Sequence, residues 1–167
     1  MESASAYTWV GSTSDVRALS KAASTTDRIA ATWFNTAFFL IDLVFKDTAQ
    51  HQVAIYCLDW DTASRAETVD ILDANGVLLN TQNVTNFHNG QYLAWQMSGH
   101  VQIRVTNVNS TPGFNGVVSG LFFDPTGPVP VSVSVSPPSQ NLTANGQQQF
   151  TATVTGTSNT AVNWTMS

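Results

Sequence analysis

HQVAIYCLDWD, residues 51–61, is the stretch that decides the fold, because it predicts a strand ending in an acidic and aromatic loop. Neighbouring side chains of a strand point to opposite faces, and both faces of this strand are largely apolar. We therefore expect it to be covered on both sides in the middle of a sheet. The loop carries Asp59, Trp60 and Asp61, side chains that bind ligands when they face water. A rigid strand ending in such a loop is a common way to build a binding site.

Runs of alternating apolar residues, separated by turn signals, continue on both sides of this segment. Residues 100–108 alternate cleanly, and Asn75-Gly76 suits a tight turn between two strands. The pattern predicts roughly eight to ten strands without strand–helix alternation, and hence an all-β fold, an antiparallel β-sandwich. Residues 15–23 fit either a short helix or a strand over 16–19, and the β-rich surroundings favour the strand.

The composition of the chain changes at Asp124. Residues 125–130, PTGPVP, predict a short stiff linker, and no charged residue follows Asp124. We therefore divide the chain into a β-sandwich binding domain over 1–124, the linker, and a second region over 131–167. Apolar alternation predicts three strands in that region, the last of them over 161–165.

The second region resembles the start of a bacterial immunoglobulin-like domain of the group 2 type. The resemblance is carried by a Val/Ser strand, two prolines, the segment QFTATV and the triplet VNW, at residues 131–135, 137–138, 149–154 and 162–164. It implies that Phe150 and Trp164 lie in a core between two sheets, about half of which is present here. It also implies a spacer in a secreted or cell-surface bacterial protein.

Residues 7–124 look like the jelly-roll sandwiches of the galactose-binding-like group, the architecture of many carbohydrate-binding modules. The resemblance is carried by HQVAIYCLDWD, ETVDILDANGVLLNTQNV, HVQIRVTN and VSGLFFD. It implies a jelly-roll β-sandwich that binds a sugar, and it carries over no particular binding residue. Modules of this kind are often joined to immunoglobulin-like spacers and to other domains of a larger parent protein.

Charge and composition argue against several classes of partner. The net charge is −5, and the six basic residues are scattered along the chain, so no stripe is predicted for nucleic-acid phosphates. No apolar run is long enough to span a membrane. The single cysteine, Cys57, lies in the central strand and is predicted to be a buried thiol rather than a nucleophile.

Trp60 is the first candidate for ligand contact, because sugar rings stack on exposed indoles and two carboxylates flank this one. The alternative is an aromatic packed on a neighbouring strand at the rim. The other three tryptophans of the first domain alternate with apolar residues and are predicted to lie in the core: Trp9, Trp33 and Trp95.

Asp59 and Asp61 are two residues apart on an extended segment, so their side chains are expected to share a face. They could accept hydrogen bonds from two sugar hydroxyls or form part of an oxygen-rich Ca²⁺ site. The alternative is a solvated loop in which they pair with Arg65 through a surface salt bridge that contributes little. A glycosidase pair is disfavoured, because carboxylates on one loop seldom face each other across a sugar.

The loop 86–92, NFHNGQY, is the second candidate. His88, Asn89 and Tyr92 combine an imidazole, an amide and an aromatic ring, which together donate hydrogen bonds to hydroxyls and accept hydrogen bonds from them. Asn and Gly are also favoured in such a loop for backbone reasons alone. The three histidines of the chain show no zinc-ligand spacing.

These observations favour a non-catalytic carbohydrate-binding module without a required cofactor, calcium aside, whose partner is a polysaccharide or glycan. The alternative is a structural or adhesive module of a cell-surface protein that binds no sugar. The two differ in one visible feature. A binding module brings polar and aromatic residues together in one exposed groove, whereas a spacer leaves Trp60 buried and the loops divergent.

Overall fold

The computed structural model describes residues 3–125, 132–155 and 160–165, and in these ranges the chain is all-β without an α-helix. One 3₁₀ helix, Phe87–Asn89, precedes β8. The strands are β1 Ser5–Thr13, β2 Leu19–Ser20, β3 Arg28–Asn35, β4 Phe38–Val44, β5 His51–Cys57, β6 Ala66–Asp73, β7 Leu78–Thr85, β8 Gln91–Met97, β9 His100–Asn107, β10 Gly116–Val118, β11 Gly120–Pro125, β12 Ser132–Ser136 and β13 Thr151–Thr155.

All strand pairs in the described ranges are antiparallel and form sheets consistent with a β-sandwich, which confirms the predicted class. One sheet has the order β4-β9-β6-β7, a second has the order β11-β5-β8, and a third has the order β1-β3-β10 with β2 beside β3. Strands β10 and β11 are separated by Ser119, whose amide donates to the Tyr56 carbonyl at 2.7 Å. The second and third sheets are therefore joined along one stretch of chain.

Strand β5 is central, as the sequence predicts. It pairs with β11 on one side and β8 on the other. Val53, Ile55 and Cys57 are fully buried in the core that the β4-β9-β6-β7 sheet covers, and Tyr56 is buried on the opposite face. Burial of the Cys57 thiol raises its pKa well above the usual range, so the predicted buried thiol is confirmed.

Residues 15–18 form neither the predicted strand nor a helix. A turn replaces both, in which the Ala18 amide donates to the Asp15 carbonyl at 3.1 Å. In this segment only Leu19 and Ser20, the two residues of β2, pair with β3. Trp33 also departs from prediction, because 45% of its surface is exposed. Trp9 and Trp95 are partly buried and pack against the core.

The chain folds as two compact units, Met1–Pro125 and Thr126–Ser167. In the second unit β12 pairs with β13, and β12 ends just before Pro137. Residues 161–165 do not form the predicted third strand. Trp164 is 57% exposed and Phe150 38% exposed, so the described residues do not show the core that an immunoglobulin-like domain would have. The predicted linker falls outside the described residues beyond Pro125.

Glu67 places a carboxyl group inside the core of the first unit. It is 1% exposed, its Oε2 accepts the Val117 amide at 2.7 Å, and its Oε1 has no hydrogen-bond partner in the described structure. Burial raises the pKa of Glu67 to about 7, and the Val117 amide and the neighbouring Cys57 thiol offset only part of that rise. In the unfolded chain the carboxyl group of Glu67 has a pKa near 4.5.

Glu67→Gln should remove a pH dependence of stability. Between about pH 4.5 and 7 the folded protein keeps a proton that the unfolded chain releases, so this carboxyl group favours folding below that window and loses its contribution as the pH rises through it. One pKa unit corresponds to about 1.4 kcal/mol, so the loss is of the order of 3 kcal/mol. Urea unfolding of the unchanged protein and of Glu67→Gln at several pH values gives the difference between their free energies of unfolding, in which the titrations of all other groups cancel. If the free energy of unfolding changed equally with pH in the two proteins, the prediction would be contradicted.

Candidate functional site

The loop after β5 is built around a buried ion pair. Asp59 is 1% exposed and Arg65 7% exposed, and Nη1 of Arg65 donates to Oδ1 of Asp59 at 2.5 Å. The Asp59 carboxylate also accepts the Arg65 amide at 3.0 Å and the Thr62 hydroxyl at 2.7 Å. Burial alone would raise the pKa of Asp59, but these hydrogen bonds outweigh it and hold the pKa below its usual range. The pair is therefore buried, unlike the surface salt bridge that the sequence suggested.

Asp61 joins the same guanidinium from the solvent side. Its Oδ1 accepts Nη1 of Arg65 at 2.5 Å, and its side chain is 46% exposed. The two aspartates both accept hydrogen bonds from Nη1 of Arg65. Within the described ranges no group of three or more His, Cys, Asp or Glu side chains could hold a metal ion. The predicted calcium contact of Asp59 and Asp61 therefore finds no supporting ligand set there.

Trp60 is half-buried, and a cation occupies one side of its ring. The guanidinium carbon of Arg17 lies 4.5 Å from the centroid of the indole, within range of a cation–π contact. The same guanidinium is held by Asp15 at 2.8 Å. Trp60 thus packs against the turn at residues 15–18, before β2. This position is close to the predicted alternative, in which Trp60 is an aromatic packed at the rim.

His88 ties this loop to Arg17. Its Nδ1 lies 2.8 Å from the Asp59 carbonyl and 2.5 Å from the Thr62 carbonyl, so it carries the proton and donates. Its Nε2 then accepts Nη1 of Arg17 at 3.0 Å. The imidazole is therefore fully engaged within the protein, which explains why it does not present the free ligand contact that the sequence predicts.

Tyr56 also holds the turn at residues 15–18 in place. Its hydroxyl donates to the Arg17 carbonyl at 2.7 Å. The ring passes so close to Gly90 that a Cβ there would overlap the phenol, and Gly90 has a φ of 81°, which favours glycine. Burial raises the pKa of Tyr56, so its hydroxyl stays protonated and keeps donating.

An open cleft of about 560 Å³ lies between residues 16–20 and the start of β8. Tyr92 is its most prominent aromatic, 60% exposed, with its ring centroid 4.5 Å from that of Tyr56 and 5.8 Å from that of Phe122. We call this hollow the tyrosine cleft. Its polar lining combines an amide, a hydroxyl and two cations, which are provided by Asn89, Ser20, Arg17 and Arg28.

A second hollow of about 280 Å³ lies beside Trp9 and Tyr7. Asp61 and Arg65 line it, and Tyr7 is 56% exposed. The seven predicted site residues therefore do not form one site. Asn89 and Tyr92 line the tyrosine cleft, Asp61 and Arg65 line the second hollow, and three line neither: Asp59, Trp60 and His88.

Sequence reasoning missed Arg17, Arg28 and Phe122. The signal for Arg17 was weak, because it lies in the segment 15–23, whose pattern fits two kinds of secondary structure. Phe122 follows a glycine in β11 and resembles an ordinary core residue in its pattern, although its ring supports Tyr92. No local pattern marks a residue that becomes a cleft wall only when distant strands pair.

The comparisons with known proteins give a distant likeness in fold. No protein-family model and no curated protein matches the sequence. A solved structure described as "Carbohydrate-Binding Module CBM36 in complex with calcium and xylotriose" is similar at a TM-score of 0.35 and 15% identity, covering 63% of this chain and 87% of that chain. A TM-score this low leaves the ligand of this chain to be inferred from its own residues.

Asp59→Ala should destabilise the first unit far more than Asp61→Ala. Asp59→Ala removes the buried acceptor of the Arg65 guanidinium, the Arg65 amide and the Thr62 hydroxyl, and costs about 3 kcal/mol or more, whereas the exposed Asp61 contact contributes about 1 kcal/mol or less. Urea unfolding of both variants, followed by tryptophan fluorescence, measures the two losses. Similar losses would show that the buried pair is not the main restraint on this loop.

Gly90→Ala should disturb the tyrosine cleft itself. Alanine at position 90 would have to keep a φ of 81° with a ψ of 141°, and its Cβ would displace the Tyr56 phenol from the Arg17 carbonyl. We expect a loss of stability of about 1–3 kcal/mol. Gly76→Ala is the matched control, because Gly76 has a similar φ of 79° and open space around it. Equal losses would mean that backbone strain alone, and not the contact with Tyr56, explains the effect.

Proposed function

We propose that the first unit is a non-catalytic glycan-binding module and that the tyrosine cleft is its binding surface. The observation that carries the proposal is the exposure of the Tyr92 ring on a fixed aromatic support. Tyr92 is 60% exposed and rests on two other rings, and a flat aromatic held open beside hydrogen-bonding groups is suited to a ligand with one apolar and one polar face.

A sugar ring has that combination of surfaces. Its C–H face can stack on Tyr92, while hydroxyls at its edge exchange hydrogen bonds with the Asn89 amide and the Ser20 hydroxyl, both of which are exposed at the cleft. Tyr56 and Phe122 restrict movement of the stacking ring, so little side-chain entropy is lost when a ligand binds.

The proposal assigns no catalytic role to this surface. Glycoside hydrolysis uses two carboxylates that face each other across the bond to be broken, and no carboxylate lines the tyrosine cleft in the described structure. Asp59 and Asp61 are both bound to Arg65. We therefore favour binding without turnover.

We further propose that the module works outside the cell, secreted or at the surface of a bacterium, within a larger parent protein. A shallow, open cleft binds a single sugar segment weakly, so attachment to other domains would raise the effective concentration of the ligand. No helix in the described residues is long and apolar enough to cross a membrane.

A structural or adhesive module remains the second candidate. It is favoured by the loop after β5, where Trp60 and His88 are engaged by Arg17 instead of facing a ligand. This interpretation makes the cleft a by-product of the Arg17 and Tyr56 contacts and predicts no glycan binding at all.

Tyr92→Ala should weaken glycan binding by about tenfold or more, because it removes the stacking surface without touching the buried loop. Tyr7→Ala is the matched control, since Tyr7 is similarly exposed but lies outside the tyrosine cleft. The full chain is first screened against a polysaccharide panel by pull-down, and the affinities of positive ligands are then measured by calorimetry.

Loss of binding with Tyr7→Ala but not Tyr92→Ala would move the site to the second hollow. Absence of binding to every polysaccharide in the panel would favour the structural module over the glycan-binding one.

A further inference from the structure

The tyrosine cleft has a charge opposite to that of the chain. The chain carries a net charge of −5 and only six basic residues. Two of these six, Arg17 and Arg28, line the cleft, and no acidic side chain of the described residues does so. Whether either arginine has charge left for a ligand depends on the partners of its guanidinium.

Arg17 is already neutralised and cannot supply that charge to a ligand. Its Nε and Nη2 donate to the Asp15 carboxylate, with Nη2 at 2.8 Å, and its Nη1 donates to both the ring and the carbonyl of His88. These contacts lower the pKa of Asp15, chiefly through the hydrogen bond from Arg17. Arg17 therefore holds the cleft wall in place.

Arg28 is in a different position. Its Nη1 donates to the Ala18 carbonyl at 2.8 Å, and the described residues give its guanidinium no ion pair and no other acceptor. The neighbouring Asp27 is already occupied, because its carboxylate accepts Lys21 Nζ at 2.6 Å and Ser12 Oγ at 2.7 Å. Arg28 is thus a half-buried cation at the cleft with donors to spare.

We propose that the ligand of the tyrosine cleft is an acidic polysaccharide, and that a uronic-acid carboxylate binds Arg28 while a sugar ring stacks on Tyr92. This inference rests on the proposed glycan-binding function. A guanidinium presents its N–H groups in a planar fork that matches a carboxylate in two parallel hydrogen bonds, so a carboxylate suits Arg28 better than a neutral hydroxyl does.

The test compares short oligomers of galacturonate with the same oligomers after methyl esterification, which removes the charge and keeps the ring. Calorimetry of the full chain should give at least about tenfold tighter binding to the free acid. That preference should shrink as salt is raised, because added ions screen an exposed charge pair. A sulfated galactan oligomer serves as the other source of negative charge and should bind more weakly than galacturonate.

Arg28→Gln should abolish the preference for the free acid, because it removes the cation that distinguishes the acid from its methyl ester. Arg104→Gln is the matched control, because it removes the same charge from β9, where Arg104 pairs with Asp70. Arg28→Lys keeps the charge without the planar fork, and it should retain only part of the preference. Thermal unfolding confirms that each variant is folded before its affinity is compared.

The outcomes separate the two proposals. Equal, Tyr92-dependent binding of the acid and its ester would overturn this inference and leave the glycan-binding module standing. A preference for the sulfated oligomer, or equal effects of Arg28→Gln and Arg104→Gln, would also overturn it. Failure to bind any acidic or neutral glycan would overturn the glycan-binding function itself.

Discussion

The ion pair between Asp59 and Arg65 is the interaction on which the rest of the site depends. It closes the loop after the central strand and so fixes the backbone carbonyls that receive the His88 proton. Nε2 of His88 in turn accepts a hydrogen bond from Arg17, which forms part of the cleft wall. A buried charge pair is costly in free energy unless hydrogen bonds saturate it, and here the amide and hydroxyl of the loop do so. The exposed cleft is therefore supported by a network that starts inside the protein.

In the proposed function, the residues that shape the binding surface are different from the residues that contact the ligand. The charged and aromatic side chains next to the central strand are mostly used to hold the backbone, and the surface they hold is provided by Tyr92 and Arg28. Those two residues come from different strands, β8 and the start of β3, and face a cleft that neither strand could form alone. Rigid support matters because a stacking ring that is already fixed loses little entropy on binding.

The strands could be predicted from the sequence because alternation of apolar and polar residues has the period of a strand. The same pattern predicted a central strand at the start of residues 51–61, which the structure gives as His51–Cys57. The candidate loop 86–92 contains Asn89 and Tyr92, and both line the cleft. The sequence offered the pairing of Arg65 with Asp59 only as an exposed alternative, because the burial of the pair depends on the path of the loop. Trp33 was misplaced for a related reason, because alternation gives the face of a strand but not whether another element covers that face.

In the proposed function, the tyrosine cleft is the surface that meets the glycan. The most direct test is a titration of the isotopically labelled full chain with galacturonate oligomers, followed by ¹H–¹⁵N correlation spectra that include the arginine side-chain resonances. We expect the largest shifts at the Arg28 Nε–H and at the backbone of residues 18–20 and 89–92. Shifts concentrated around Tyr7, Asp61 and Asn115, with the Arg28 resonance unmoved, would contradict this placement and assign the ligand to the second hollow.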